Sequence, residues 1–275
     1  MRIYTTSDLH YDKRDKQTID VLKRMSYRLL AMGQASDILV INGDLGDSEE
    51  EYIECLELFR DFKGVKLITA GNHDIFVHAS STTSSLDRYN RLPEVCASVG
   101  FKLLDDGPVI LENENAAIVG NMGWYDFSFC KNPKNAGDTN EAMVLHDNET
   151  GFKWDLTDEV VVAMMVKKLE DHLDQVKHIP NVTVFLHHWA TGELLPGHRF
   201  WRPRVADMAY GFWGSQAFGD VISRYKNIKF VFSGHAHIQR EVSKDGVTYR
   251  SIASLPYLKE LVMLLDNELF SILVN

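Results

Sequence analysis

Residues 38–47 read Ile38-Leu39-Val40-Ile41-Asn42-Gly43-Asp44-Leu45-Gly46-Asp47. Four aliphatic residues, two of them β-branched isoleucines, give way at once to polar residues and glycine. A short continuous apolar run of this kind suits a strand covered on both faces. The glycines let the backbone turn sharply and come close to a ligand. Asp44 is thereby set at the C-terminal edge of a sheet, the edge at which open α/β sheets bind ligands. It comes too early to cap the following helix, a role that suits Asp47 better.

The same arrangement recurs four times. Asp8-Leu9-His10 follows an apolar run at 3–6, and Gly71-Asn72-His73-Asp74 follows one at 66–69. His187-His188 follows 182–186, and Gly234-His235-Ala236-His237 follows 229–232. Each cluster alone is weak: Asp-x-His occurs by chance, and a lone His on an apolar element is more often a satisfied core residue. Five such clusters after five strands are a different matter, because each supplies metal-ligand chemistry. Asp8, His10, Asp44, Asn72, His187, His235 and His237 are the candidate ligands. His188 is the alternative to His187 if the strand register slips by one. Imidazole, carboxylate and amide oxygen without thiolate suit manganese, iron or zinc, with manganese or iron preferred. A structural zinc site would use cysteine. Seven ligands are too many for one ion and suffice for two that share a carboxylate. His73 can transfer a proton, and Asp74 is placed to orient it.

Further strands are expected at 117–120, 247–252, 261–265 and 269–274. Helical periodicity is clear at Val161, Met165, Leu169, Leu173 and Val176, with Thr157 as N-cap. Other helices are expected from Lys16 to Met32, stopping at Gly33 as a C′ residue, after Asp47-Ser48, and over 215–225. Turns are expected at Lys244-Asp245-Gly246 and Asp266-Asn267. The β-α-β-α-β order of the first 70 residues argues for an α/β core. Stretches 127–151 and 190–214 resist assignment. No linker composition divides the chain, so one domain spans 1–275, with insert-like segments near 121–156 and 190–214.

The 275 residues carry a net charge of −10, with hydrophobic residues at 45%. The charge argues against an extended nucleic-acid footprint, which needs a basic face. It does not exclude a small phosphorylated substrate, because bound metal reverses the local field. Three cysteines, Cys55, Cys96 and Cys130, form no CxxC pair and suit a reducing compartment. No run is long enough to span a bilayer, and the first residues lack a signal-peptide pattern. The expectation is a cytoplasmic protein with no membrane partner.

Taken in order, Asp8-x-His10, Gly43-Asp44, Gly71-Asn72-His73-Asp74, His187 and Gly234-His235-x-His237 resemble the motif set of the calcineurin-like metallophosphoesterase superfamily. The resemblance implies a four-layer α/β/β/α sandwich of two mixed β-sheets flanked by helices. It implies that Asp8, His10 and His237 bind one metal, that Asn72, His187 and His235 bind another, and that Asp44 bridges them. It implies in-line attack on a phosphodiester or phosphomonoester by a bridging hydroxide, with His73 and Asp74 as catalytic residues. Protein Ser/Thr phosphatases of the superfamily carry Gly-Asp-x-Val-Asp-Arg-Gly and Gly-Asn-His-Glu. Here Asp47 is followed by Ser48 and His73 by Asp74, so the match is closer to small bacterial phosphodiesterases and phosphoesterases, including class III cyclic-nucleotide enzymes. There the fourth motif continues with prolines; here it continues His188-Trp189-Ala190. The competing readings are a non-catalytic metal-binding interaction module on the same fold and a nuclease of the superfamily.

Metals that hold a phosphate cannot choose the leaving group. His188, Trp124, Tyr125, Trp201, Arg202 and Arg204 are therefore the candidates for substrate binding, since aromatic rings can stack and arginine can pair with phosphate. The competing reading is that the tryptophans fill core. His78, His146, His172 and His178 are expected to be solvated.

Overall fold

The computed structural model describes residues 1–77, 81–132, 151–196 and 203–275, with side chains omitted for 203–205. Two sheets carry the fold. The first contains β1 (Ile3–Thr6), β2 (Ile38–Asn42), β3 (Val65–Thr69) and β4 (Lys102–Leu103), all parallel. Beside β1 runs the antiparallel β12 (Leu258–Leu265), which also pairs with β11 (Ser254–Leu255) and β13 (Glu268–Val274). The second sheet follows the order β5 (Val109–Leu111), β6 (Ala116–Asn121), β7 (Asn181–Leu186), β8 (Ile228–Ser233), β10 (Val247–Ser251), β9 (Arg240–Lys244). β6, β7, β8 and β10 are parallel, and β5 and β9 close the edges antiparallel.

The apolar runs are continuous because alternate residues enter different cores. Ile3, Ile38, Val40 and Leu67 meet Ile118, Phe185, Phe230 and Phe232 between the sheets. Tyr4, Leu39, Ile41 and Ile68, with Val119, Val184 and Leu186, face outward onto helices. Those helices are α1 (Lys16–Met32), α2 (Glu49–Glu57), α3 (Ser85–Ser98), α4 (Asp158–Val176), α5 (Pro203–Tyr210) and α6 (Gln216–Ile222). The chain is thus an α/β fold of two mixed sheets flanked by helices. Among the described residues no helix is long and apolar enough to cross a membrane.

The caps account for several boundaries. Asp15 caps α1, and Ser48 rather than Asp47 caps α2, accepting the Glu51 N–H. Thr157 stands at the N-cap of α4. Gly33 ends α1 at φ −69, not in the left-handed conformation of a C′ glycine. Glycine is required there because a Cβ would strike the Phe62 ring. The two hairpin turns are as expected: Asp245-Gly246 and Asp266-Asn267 all adopt positive φ. The 190–214 stretch contains a 3₁₀ turn at Gly192–Leu194 and α5, so part of it is regular after all.

Candidate metal centre

Parallel strands deliver their following loops to one edge. β1, β2 and β3 release Asp8/His10, Asp44 and Asn72/His73, while β7 and β8 release His187 and His235/His237. The two sheets are joined directly beneath these loops. Asn42, fully buried at the end of β2, donates from Nδ2 to the Leu186 carbonyl at 3.0 Å and accepts from Thr69 Oγ1 at 2.7 Å. The loops approach so closely that glycine is needed: a Cβ on Gly71 would collide with the Asp44 carboxylate, and one on Gly234 with Ser7 and Asp8. Asp8, His10, Asp44, His235 and His237 have φ between 45 and 66. Left-handed backbone is uncommon for residues with a Cβ and gathers at functional sites.

All seven expected ligands come together. In one group His10 Nε2 lies 3.1 Å from His237 Nε2, which lies 3.3 Å from Asp8 Oδ1. In the other, His187 Nε2 and His235 Nδ1 each lie 3.0 Å from Asn72 Oδ1. Asp44 Oδ2 is 3.2 Å from His187 Nε2 and 3.8 Å from His10 Nε2. Donors about 2.0–2.2 Å from one cation stand roughly 3.0–3.5 Å from each other, so these separations fit ligands round an ion. The donor chemistry fits as well, being oxygen and imidazole throughout.

Hydrogen bonds fix which nitrogen each imidazole presents. A carbonyl can only accept, so His187 Nδ1, 2.9 Å from the Asn42 carbonyl, carries the proton and leaves Nε2 for the centre. His235 Nε2 likewise donates to the Phe212 carbonyl at 3.0 Å, leaving Nδ1 inward. Such outer contacts orient metal-ligating histidines. The Asp8 carboxylate is held by the His235 N–H at 2.9 and 3.1 Å. Burial works to lower the His187 pKa, but Asp44 and Asp8 outweigh it and raise it to about 10. A cation would have to displace the second proton, the one on Nε2.

His73 lies beside this cluster, its ring 4.6 Å from that of His10. Its Nδ1 is 2.7 Å from Asp47 Oδ1. The orienting role expected of Asp74 therefore falls to Asp47. Asp74, fully buried, accepts instead from the N–H groups of Asp44, Leu45 and Gly71 at 3.0, 2.7 and 2.8 Å, and so ties the β2 and β3 loops together. Nothing in the sequence separates Asp47 from Asp74 as the partner of His73; only the approach of the two loops does.

The substrate candidates fare less well. His188 is 0% exposed, its Nδ1 against the Met122 carbonyl and its ring packed on Trp124 and His235, so it offers no surface to a substrate. It is His187 whose Nε2 faces the other candidate ligands, Asn72 and Asp44. Trp124 is also 0% exposed and Tyr125 6%. Trp124 stacks on Tyr125, meets Phe152 and Trp154 edge-on and donates to Asp158 at 2.8 Å. Both rings are core that supports His188. Trp201 and Arg202 lie outside the described residues, as does the Arg204 side chain. His78 and His146 also lie outside them. His178 is exposed as expected, but His172 is buried, because its helix stripe is wider than the periodicity suggested.

Comparison with known proteins agrees with this geometry. No curated protein sequence matches the chain. Among solved structures, phosphopantetheinyl hydrolase from Mycobacterium tuberculosis superposes with a TM-score of 0.67 at 20% identity, covering 91% of this chain and 89% of that one. A dimetal phosphatase from Danio rerio gives 0.52 at 13% identity, over 100% and 99% of the two chains. GAP50, the anchor in the inner membrane complex of Plasmodium, gives 0.52 at 10%, over 100% and 84%. At these identities the likeness is one of fold. The family model for calcineurin-like phosphoesterase matches residues 1–239, which include all seven of the convergent residues, and the chain belongs to that family.

Proposed function

We propose that the chain is a dinuclear metal-dependent hydrolase acting on phosphoester bonds of small phosphorylated molecules. Asp8, His10 and His237 would hold one cation, Asn72, His187 and His235 the other, and Asp44 would touch both. Asp44 carries the reading, since its Oδ2 faces His187 at 3.2 Å on one side and His10 at 3.8 Å on the other. Manganese or iron suits the donors best. Bound cations would polarise the phosphoryl oxygens, offset the charge developing there and supply an activated water.

The chain's own residues do the remaining work. His73 is the proton donor to the leaving oxygen. Asp47 takes its Nδ1–H and so turns Nε2 towards the substrate. Burial works to lower the His73 pKa, while Asp44 and Asp47 raise it; with cations on Asp44, the Asp47 carboxylate would be what favours the protonated ring. Asp74 holds the two loops in register. Mono- and diesters both fit this scheme.

The test is a panel of phosphomonoesters and diesters, cyclic nucleotides included, run on protein reloaded with Mn²⁺. A phosphopantetheinyl compound belongs in it because phosphopantetheinyl hydrolase shares the fold. Wild-type protein should bind about two equivalents and turn over at least one class. Asp44→Asn should lower the stoichiometry. Full metal loading with no turnover of any ester would make the chain a binding module instead.

A further inference from the structure

Lys259 has no place in the scheme above, yet it is among the most buried side chains of the protein, at 1% exposure. It lies on β12 opposite Ser254 of β11, in a hairpin beyond the residues matched by the family model. Its ammonium donates to the Asp8 carbonyl at 2.7 Å and to Ser254 Oγ at 2.8 Å. Ser254 Oγ in turn donates to the same carbonyl at 2.5 Å. Among the described residues no carboxylate forms an ion pair with Lys259. A buried ammonium with no carboxylate in direct contact is costly, even with Asp8 and Asp44 acting on it from further off, and an apolar side chain of similar length would fill the same space without that cost.

The contacts suggest what the ammonium does. Asp8 has φ 54, and its peptide is held from several directions. Its N–H donates to the Gly43 carbonyl at 3.0 Å, its carboxylate takes the His235 N–H, and its carbonyl takes Lys259 and Ser254. Of these groups the carbonyl is the one held by the β11–β12 hairpin. Left free, it could rotate and relax the left-handed turn, and the Asp8 carboxylate and His10 ring would no longer address one point.

We propose that Lys259, with Ser254, is a positioning residue for the Asp8–His10–His237 group, holding the Asp8 peptide in the turn that aims its ligands. The proposal rests on the reading of that group as a metal site. It makes the β11–β12 hairpin part of the centre, although none of the candidate ligands comes from it.

The experiment is a calorimetric Mn²⁺ titration of chelator-treated wild-type protein, Lys259→Met, Ser254→Ala and His237→Ala. His237→Ala identifies which class of site belongs to this group. Lys259→Met should weaken that class by about 10- to 100-fold, the usual loss for an outer-shell contact, and leave the other class alone. Ser254→Ala should weaken the same class less, and it carries the test if Lys259→Met does not fold. Equal weakening of both classes, or unchanged affinity with only a lower melting temperature, would make Lys259 a packing residue. Wild-type protein that takes up no Mn²⁺ would overturn the metal reading itself, and the proposal with it.

Discussion

Removing the Asp47 carboxylate tests the role of His73 with little structural side effect. The carboxylate stands 2.7 Å from His73 Nδ1, and the Asp47 side chain is 61% exposed, so truncation leaves no buried cavity. Two unit charges about 4 Å apart interact by roughly 4 kcal/mol at an effective dielectric of 20 and roughly 1 kcal/mol in water. Exposure puts this pair near the lower end, at about 1–2 kcal/mol. Asp44 also raises the His73 pKa, but cations on Asp44 would cancel that influence and leave Asp47 as the main support. The sign follows: losing a partner of the protonated form lowers the pKa of His73. The alkaline limb of kcat/KM should therefore move about one pH unit lower in Asp47→Ala. The assay compares a phenyl and a nitrophenyl phosphoester between about pH 6 and 10. The phenyl ester needs its leaving oxygen protonated and should show the shift; the nitrophenyl ester should show little. Asp47→Asn should fall between, since an exposed amide can rotate its carbonyl towards Nδ1–H. An unmoved limb with equal loss on both esters would refute the reasoning.

Three further outcomes are expected. His73→Ala should keep its metal and lose about 10²–10⁴-fold on poor leaving groups; metal loss would make His73 a ligand, as its nearness to His10 and Asp44 allows. Asp74→Asn turns one buried acceptor into a donor facing an N–H, and urea unfolding should show a loss of about 2–4 kcal/mol; a change below about 0.5 kcal/mol would mean the loops hold without it. Asp37 is buried, and although burial favours its neutral form, bonds from Arg2 and the Gln34 N–H hold its pKa below the usual range. That stability is present above the unfolded carboxylate value of about 3.9 and is lost as pH falls through the folded value. The gap between wild type and Asp37→Asn in urea should therefore close on acidification below about pH 4; a constant gap would rule out the charge as its cause.

The parts of the fold that sequence reveals are those in which one residue type repeats without interruption. β1, β2 and α1 have the expected bounds because Asp37 and Gly43 punctuate the Ile38–Asn42 run and Asp15 opens an amphipathic helix. α3 escapes notice because it begins in a Ser- and Thr-rich stretch and carries Pro93 inside. Its start is marked only by the Ser84–Asp87 capping box. β9, with Arg240, Glu241 and Lys244, is an edge strand whose polar residues hide its pairing. The ligands are legible because each follows a strand end. Partnerships between loops are not: Asp47 with His73, or Lys259 with Asp8, join residues far apart in the chain. Trp124 is ambiguous for another reason, since an aromatic residue just past a strand serves equally well as a pocket wall or as packing.

Each candidate metal group draws on both sheets. Asp8 and His10 leave the first sheet and His237 the second, as Asn72 leaves the first and His187 and His235 the second. A cation in either group would be a clasp between the halves of the sandwich, joining positions 227 residues apart in the case of His10 and His237. Unlike a disulfide, such a clasp dissolves when the chain unfolds, so its effect follows mass action. At a free metal concentration of 100 times Kd, each independent clasp adds about 2.7 kcal/mol. Two would raise the melting temperature by roughly 10 °C for a chain of this size. The metal supply around the protein, as much as any contact within it, would then determine how firmly the two halves stay closed.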